Sequence, residues 1–243
     1  MRCLQRPVPR SRPSRRAAGL RVVAPDWFGF GRSDKPEDDA WYSFERHRDS
    51  MLQLVERLDL RNVLLVVQDW GGILGLTLPM AQPERYTRLL VMNTALGLGE
   101  VGEGFRQWRA YSNSQPDMAV GRLFQRGNPH LTPAEAAAYD APFPDARHKA
   151  GVRRFPNLVP DTADAPGAET SRQAARFWST QWQGDGFMAI GMQDPVLGPP
   201  VMQALRKLIR GCPEPLEVAE GGHFVQEHGG PIATAALRHF GLN

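Results

Sequence analysis

Asp69 stands where a side chain could act as a nucleophile. It follows Val63 to Val67, an aliphatic run that is typical of a buried parallel strand. A helical pattern begins directly after Gln68-Asp69-Trp70-Gly71-Gly72, which is the spacing of a nucleophile elbow. In such an elbow, a tight turn holds one side chain above the carboxyl edge of the sheet. A carboxylate needs no base to deprotonate it, so it could attack saturated carbon and form an ester that water must then cleave.

A simpler interpretation of Asp69 is a helix N-cap, because aspartate is a favoured cap residue. Gly71 and Gly72 favour the elbow, since a plain cap needs no pair of glycines behind it. In the elbow, the backbone N–H of Trp70 would face the carbonyl oxygen of the ester. It is therefore a candidate oxyanion-hole donor.

Two more polar side chains follow late strands of the predicted sheet. Asp194 comes just after the segment 186–192, and His223 comes shortly after the segment 216–219. Functional residues of an open parallel sheet gather beyond the carboxyl ends of its strands, so these two should lie near Asp69. Taken singly, a loop aspartate is usually a turn former and a histidine after two glycines is usually at the surface.

Together, the three residues occur in the order nucleophile, acid, base of an α/β-hydrolase. His223 would accept a proton from the water that attacks the Asp69 ester, and Asp194 would hold the imidazole tautomer and stabilise the imidazolium. The remaining histidines lie among polar neighbours and are predicted to be solvated: His47, His130, His148, His228 and His239.

Strand and helix patterns alternate along most of the chain, which predicts an α/β fold with a mainly parallel sheet. Between residues 98 and 183 this alternation stops, and the prolines and helical stretches there predict an inserted helical cap. The predicted strands are 20–24, 63–67, 88–92, 186–192 and 216–219. The predicted helices are 44–58, the elbow helix to about 82, 133–139, 169–182, 201–210 and 231–240. The predicted organisation is a disordered, Arg- and Pro-rich segment 1–18, a core of 19–97 and 184–243, and a cap of 98–183.

Composition excludes several classes of function. The net charge is +3 over 243 residues, and seven arginines precede the first acidic residue, Asp26, so no basic face predicts nucleic-acid binding. Two cysteines make no disulfide framework, and no zinc-type cluster is visible, which favours the reducing cytoplasm. No apolar run reaches 18 residues, so no membrane span is predicted. We expect a monomer that needs no cofactor and no metal.

Several segments carry a family resemblance that runs from about Gly19 to the C-terminus. The chain resembles the haloalkane dehalogenases, most closely the subgroup with the dichloroethane-degrading enzymes. The segments are APDWFGFGRSDKP, LVVQDWGGILGLTLPM, MAIGMQDPVLGP and GGHFVQEHG, with AYDAPFPD and GVRRFPN in the cap. The resemblance implies an α/β-hydrolase fold and hydrolysis of a haloalkane to alcohol and halide. Asp69 would form the covalent alkyl ester, and water activated by His223 and Asp194 would cleave it.

The resemblance also implies that two indole N–H groups hold the leaving halide, those of Trp70 and Trp108. Negative charge moves onto the halide as the carbon–halogen bond breaks, so fixed neutral donors in a dry pocket favour the transition state. The family's apolar substrate pocket matches Phe105, Phe155, Pro156, Val196 and Leu197. The remaining tryptophans have no such match and are predicted to be packing residues: Trp27, Trp41, Trp178 and Trp182.

The chain departs from the family at its start. The family has further strands before the one predicted at Leu20, and a His-Gly loop whose backbone supplies a second oxyanion donor. We therefore expect an N-terminally truncated sheet that lacks an interior strand between 20–24 and 63–67. Unpaired strand edges are costly, so we expect this chain to be insoluble or inactive.

Two other functions stay open. An epoxide hydrolase would share the Asp-Trp-Gly elbow, but it needs acidic hydroxyls to protonate the opening epoxide, and the predicted cap offers only Tyr111 and Tyr139. The chain could also be an inactive remnant that binds an apolar ligand or nothing.

Overall fold

Four parallel strands form the sheet, and their carboxyl ends meet at one edge. The computed structural model describes residues 19–242, so the predicted disorder of residues 1–18 lies outside the described residues. The strand order is β1-β2-β3-β4, with Val67 paired to Val91, Met92 to Ala189 and Gly191 to Val218. The strands are β1 Val63–Gln68, β2 Tyr86–Met92, β3 Asp185–Gly191 and β4 Leu216–Val218. The predicted parallel sheet is confirmed for the last four of its five strands.

Helices cover both faces of this sheet and form the segment between β2 and β3. Short 3₁₀ helices lie at Asp39–Trp41, Pro83–Arg85, Arg147–Lys149, Phe155–Leu158 and Val225–His228. The α-helices of the described chain are α1 Phe44–Arg57, α2 Trp70–Gly75, α3 Glu103–Asn113, α4 Val120–Gly127, α5 Pro133–Asp140, α6 Ala150–Arg154, α7 Ala168–Thr180, α8 Pro199–Leu208 and α9 Gly229–His239. None of the helices within residues 19–242 is long and apolar enough to cross a bilayer.

The predicted strand at 20–24 is wrong. Residues 20–25 have no strand conformation, and they face β1 and α9 across a cleft of about 530 Å³. Among the described strands, β1 pairs with β2 alone. A strand is stabilised by the ladder of a neighbouring strand, and residues 20–24 pair with none of the described strands.

The elbow helix is shorter than predicted. It ends at Gly75 rather than near Gln82, and the next turns are tighter, with the N–H groups of Thr77 and Leu78 each bonded to the carbonyl three residues back. Pro79 follows at once, and proline has no N–H to continue a helical ladder. The apolar periodicity beyond Gly75 reflects burial of this segment rather than a helix.

Helix α7 packs on the core, although it falls within the predicted cap. The indole of Trp178 is fully buried and donates a 2.8 Å hydrogen bond to the carbonyl of Leu76. Trp27 and Trp182 are also buried, and Trp41 is partly exposed, so all four tryptophans are packing residues as predicted. The division into a core and a cap of 98–183 stays a prediction.

His47 is not solvated, and this prediction is wrong. It is fully buried on the inner face of α1, with Phe44, Met51 and Val55. Its ring lies 4.8 Å from the ring of Phe155, and burial lowers its pKa to about 4, with the nearby charge of Arg46 lowering it further. The other four histidines are partly or fully exposed.

Replacing Trp178 should destabilise the fold. Trp178→Phe removes the hydrogen bond to Leu76 and leaves a space, so we expect the free energy of unfolding to fall by about 1–3 kcal/mol. Urea unfolding measures this, with Trp41→Phe as the matched control at a partly exposed indole. Equal unfolding free energies for the two variants would contradict the prediction.

Candidate active site

Asp69 occupies the apex of a strained turn between β1 and α2. Its φ of +50° is unusual for a residue with a side chain. The turn is held from both sides, because the N–H of Asp69 donates to the carbonyl of Asn93 at 2.9 Å and the Thr94 hydroxyl donates to the carbonyl of Asp69 at 2.6 Å. The strain is therefore imposed by the end of β2, and it lifts the Asp69 side chain above the sheet.

Gly72 lets the helix begin this close to the neighbouring strand. A Cβ atom at this position would lie 2.1 Å from the Thr94 hydroxyl oxygen, a distance that no side chain tolerates. The Thr94 hydroxyl could not then reach the carbonyl of Asp69. The second glycine of the elbow is thus required by packing, and this agrees with the sequence argument for an elbow over a plain cap.

His223 lies between two carboxylates. Its Nδ1 is 2.9 Å from Oδ2 of Asp194, and its Nε2 is 3.6 Å from Oδ1 of Asp69. The structure therefore brings together the three residues that the strand-end rule selected. The first distance is a hydrogen bond, whereas the second is too long for one and places the imidazole beside the carboxyl group of Asp69.

Asp194 is the most enclosed member of the three. It is buried, and Oδ1 accepts backbone hydrogen bonds from Val196 at 2.9 Å and Leu197 at 3.0 Å. Burial alone would raise the pKa of Asp194, but hydrogen bonds from His223 and these two amides outweigh burial and lower the pKa. Asp194 is thus held ionised, facing Nδ1 of His223.

Asn93 was missed by the sequence analysis. It is fully buried at the carboxyl end of β2, and its Nδ2 donates to the carbonyl of Gly191 and to Oδ2 of Asp194, both at 3.1 Å. Its Oδ1 accepts from the N–H of Gly191 at 2.7 Å, while its own carbonyl holds Asp69. One residue therefore connects the ends of β1, β2 and β3. The signal in the sequence is the polar pair that directly follows the apolar strand ending at Met92.

Gln68 was also missed. Its side-chain amide donates a 2.9 Å hydrogen bond to the backbone carbonyl of His223, 155 residues away in the sequence. The residue before the candidate nucleophile therefore fixes the main chain of the candidate base. No local pattern in the sequence predicts this contact.

The three titratable groups shift one another. Burial raises the pKa of Asp69, and the nearby His223 and the backbone N–H of Trp70 oppose that rise. Burial lowers the pKa of His223, but the hydrogen bond to Asp194 and the charge of Asp69 outweigh it and raise the pKa from 6.5 to about 9. The hydrogen bond to Asp194 and the nearby carboxyl group of Asp69 therefore both favour the imidazolium form of His223.

Trp70 and Phe155 lie against each other next to Asp69. Both side chains are buried, and their rings are 4.7 Å apart in an edge-to-face arrangement. The backbone N–H of Trp70 favours the charged form of the Asp69 carboxyl group and lowers its pKa. Among the described residues, no acceptor takes a hydrogen bond from the Trp70 indole N–H, so this donor is free for a ligand.

Trp108 lies on α3, in the segment between β2 and β3, with its ring 5.9 Å from that of Tyr111. No hydrogen bond or ring contact within residues 19–242 joins it to Trp70 or Asp69. Its neighbour Arg109 fastens α3 to the segment after Phe155, because the guanidinium donates to the carbonyl of Pro156 at 2.9 Å and to that of Val159 at 3.0 Å.

The remaining predicted pocket residues lie on α3, in the 3₁₀ helix Phe155–Leu158 and in the loop that follows β3. Phe105 is partly buried on α3 under the guanidinium of Arg109, and Pro156 is buried one residue after Phe155. Val196 and Leu197 are partly exposed beside Asp194, where Val196 lies near Gly104 at the start of α3. Their contact with a substrate stays a prediction.

Comparison with known proteins identifies the family. Residues 2–230 match the family model described as the alpha/beta hydrolase fold. The chain is 41% identical over 229 residues to a haloalkane dehalogenase of Psychrobacter cryohalolentis, and the match covers 92% of this chain and 75% of that protein. The chain belongs to the haloalkane dehalogenases. A second member, haloalkane dehalogenase 1 of Mycobacterium tuberculosis, is 41% identical over 227 residues, covering 90% of this chain and 73% of its own.

A solved structure agrees with this dehalogenase fold. It is the tetrameric structure of haloalkane dehalogenase DpaA from Paraglaciecola agarilytica NO2, which is 48% identical with a TM-score of 0.92. The match covers 94% of this chain and 77% of that one. The chain thus spans about three quarters of the length of the dehalogenases it matches.

The two tyrosines of the predicted cap do not form the pair that epoxide opening needs. The Tyr139 hydroxyl is buried and donates to Oε1 of Glu227 at 2.7 Å, and Tyr111 is exposed. The buried one of these two hydroxyls is thus already bonded to Glu227, and within residues 19–242 this favours the halide chemistry of the dehalogenase family over epoxide opening.

Neutralising Asp69 should lower the pKa of His223. Part of the rise to about 9 comes from the charge of the Asp69 carboxylate, so Asp69→Asn removes an interaction that favours the imidazolium. We expect the pKa to fall by about 1 to 3 pH units, the range for loss of one nearby opposite charge. An NMR titration of the His223 ring measures it, with His148 as internal reference. An unchanged pKa of His223 would contradict the proximity of Asp69.

Proposed function

We propose that this dehalogenase converts haloalkanes to alcohol and halide through a covalent alkyl ester on Asp69. One observation carries the proposal: the Asp69 carboxyl group stands at a strained apex, 3.6 Å from Nε2 of His223, whose Nδ1 is bound to buried Asp194. Asp69 can attack without the help of a base. His223 is not used in that first step and lies beside Asp69 for the second step.

In the first step, a carboxylate oxygen of Asp69 attacks the carbon that bears the halogen. The new carbon–oxygen bond forms as the carbon–halogen bond breaks, and the electron pair of that bond leaves with the halide. We propose that the indole N–H groups of Trp70 and Trp108 receive the halide. The support is the unoccupied N–H of Trp70 in a buried, apolar setting beside Asp69, together with the likeness of Trp108 to the family's second donor.

In the second step, water attacks the carbonyl carbon of the ester. His223 takes one proton from the water, the alcohol departs with a proton, and the carboxylate of Asp69 re-forms with an oxygen from water. The backbone N–H of Trp70, which favours the charged form of the Asp69 carboxyl group, would stabilise the oxyanion that forms.

The charges favour this order of steps. While Asp69 is a carboxylate, its charge raises the pKa of His223 and keeps the imidazole protonated. Alkylation removes that charge, so the imidazole loses its proton more easily once the ester exists. His223 becomes a base when the reaction needs one, while Asp194 keeps the ring oriented.

The proposal also includes the substrate pocket and the cap. We propose that Phe105, Phe155, Pro156, Val196 and Leu197 line the apolar substrate pocket and that residues 98–183 form its cap. The predicted monomer contrasts with the tetramer of DpaA, and light scattering decides between them. Cytoplasmic localisation also stays a prediction.

Isotope labelling tests the nucleophile. A single turnover of excess enzyme with 1-bromobutane in heavy-oxygen water should place the label in the carboxyl group of Asp69 and leave the butanol unlabelled, because the attacked atom is the ester carbonyl carbon. Peptide mass spectrometry and mass analysis of the alcohol measure this, and Asp69→Asn is the inactive control. Label that enters only the alcohol would mean direct attack by water and would refute the ester.

The same assays separate the rival functions. Halide release from 1,2-dichloroethane or 1-bromobutane supports the dehalogenase, whereas diol formation from styrene oxide supports the epoxide hydrolase. Turnover by the soluble 243-residue chain would contradict the prediction that it is insoluble or inactive.

Replacing Trp108 tests the second halide donor. Trp108→Phe keeps an apolar ring but removes the N–H, so we expect kcat/KM for 1-bromobutane to fall about 10- to 100-fold and product inhibition by bromide to weaken. Trp41→Phe is the control, because the Trp41 ring contacts Phe28, Tyr42 and His47 and has no ring contact with Trp70 or Trp108 among the described residues. Equal bromide inhibition in the parent and Trp108→Phe would assign the halide to other donors.

A further inference from the structure

Two helices of the predicted cap hold the segment that follows His223. Helices α4 and α5 pack together, and the ring of Phe124 on α4 lies between two other rings. It stacks on Phe224 with ring centroids 4.0 Å apart and on Tyr139 of α5 at 3.9 Å. Phe224 is the residue directly after His223, so this stack joins the cap to the loop that carries the base.

A buried hydrogen bond reinforces the stack. The hydroxyl of Tyr139 donates to Oε1 of Glu227 at 2.7 Å, and the two residues are only 2% and 3% exposed. Glu227 lies in the short 3₁₀ helix Val225–His228, four residues after His223. A hydrogen bond that is shielded from water is strong and resists displacement.

The base needs this support because the chain before it has little rigidity of its own. Gly221 and Gly222 precede His223, and glycine restricts the backbone least of all residues. From the core, Asp194 holds the ring at Nδ1 and Gln68 holds the backbone carbonyl. The cap holds the residues on the other side of His223, so the base is fixed from two directions.

We propose that Tyr139 and Glu227 are positioning residues through which the cap keeps His223 aligned for hydrolysis of the alkyl ester. The inference rests on the proposed function. It concerns the second chemical step only, because the attack of Asp69 on the haloalkane needs no base. Loss of the link should therefore slow ester hydrolysis and leave alkylation unchanged.

Tyr139→Phe tests the link, since it keeps the stacked ring and removes only the hydroxyl. We expect the rate of ester hydrolysis to fall roughly 10-fold, less than the ~10²-fold that a 1 Å misplacement can cost, with an unchanged alkylation rate. The alkyl-enzyme should accumulate during turnover of 1-bromobutane. Intact-protein mass spectrometry of quenched samples reads its fraction directly, and rapid-quench halide release gives the alkylation rate.

Tyr86→Phe is the matched control. Tyr86 is also a buried tyrosine, its hydroxyl has no hydrogen-bond partner among the described residues, and it lies at the opposite end of β2 from the site. This variant should show the parent's fraction of alkyl-enzyme. A general effect of removing a buried tyrosine hydroxyl would appear in both variants and overturn the proposal.

A second variant guards against a folding defect. The double variant Tyr139→Phe/Glu227→Gln also lacks the tyrosine hydroxyl. In Tyr139→Phe alone, the buried carboxyl group of Glu227 loses its hydrogen bond, whereas the double variant has a neutral amide at that position. It should accumulate the alkyl-enzyme as Tyr139→Phe does. Equal slowing of both chemical steps in these variants, or a fraction of alkyl-enzyme like that of the parent, would overturn the proposal.

His223→Gln separates failure of this inference from failure of the proposed function. Without its base, the enzyme should trap the alkyl-enzyme almost completely. If His223→Gln traps the ester and Tyr139→Phe does not, only the role of Tyr139 is wrong. If no variant ever carries the alkyl group, the proposed function itself fails.

Discussion

The strained bend at Asp69 is the constraint on which the site depends. A residue with a side chain adopts a positive φ there because the end of β2 holds its N–H through Asn93 and its carbonyl through Thr94. Gly72 makes the close approach to Thr94 possible. The cost of the bend is of order 1–3 kcal/mol, which tertiary hydrogen bonds of this kind can offset. The result is a carboxyl group that stands free of the sheet and next to the first amide of a helix.

The second level of organisation is the coupling of charges between three side chains. Hydrogen bonds keep the buried Asp194 ionised. Burial disfavours the carboxylate form of Asp69. The two carboxyl groups together favour the imidazolium form of His223, which lies between them. Each group therefore depends on the protonation of the other two. Alkylation of Asp69 removes its charge and would therefore lower the pKa of His223.

The segment between β2 and β3 contributes to the site at more than one point. Phe155 packs on Trp70, Arg109 binds α3 to the carbonyls of Pro156 and Val159, and Tyr139 reaches Glu227 beyond the base. These contacts connect the apolar residues beside Trp70 with the polar residues around His223. The segment between β2 and β3 can thus influence the geometry of His223.

The sequence by itself determined the parallel sheet and which three polar side chains meet at its carboxyl edge. Apolar strand patterns followed within a few residues by Asp69, Asp194 and His223 were enough, because parallel strands bring their carboxyl ends to one edge whatever the details of packing. The pair of glycines likewise distinguished an elbow from a cap. These conclusions rest on local order along the chain, which sequence patterns record directly.

Only the tertiary structure decided which other residues serve the site. Gln68 reaches the backbone of His223 across 155 residues, and Asn93 joins three strand ends, yet both look like ordinary polar residues at a strand boundary. His47 is enclosed because it lies on the buried face of α1. The elbow helix ends at Gly75, shortly before Pro79, although the apolar period continues beyond it. Residues 20–24 pair with no described strand. The physical reason is common to these cases: burial and hydrogen bonding depend on neighbours distant in sequence, whose positions exist only once the elements have packed.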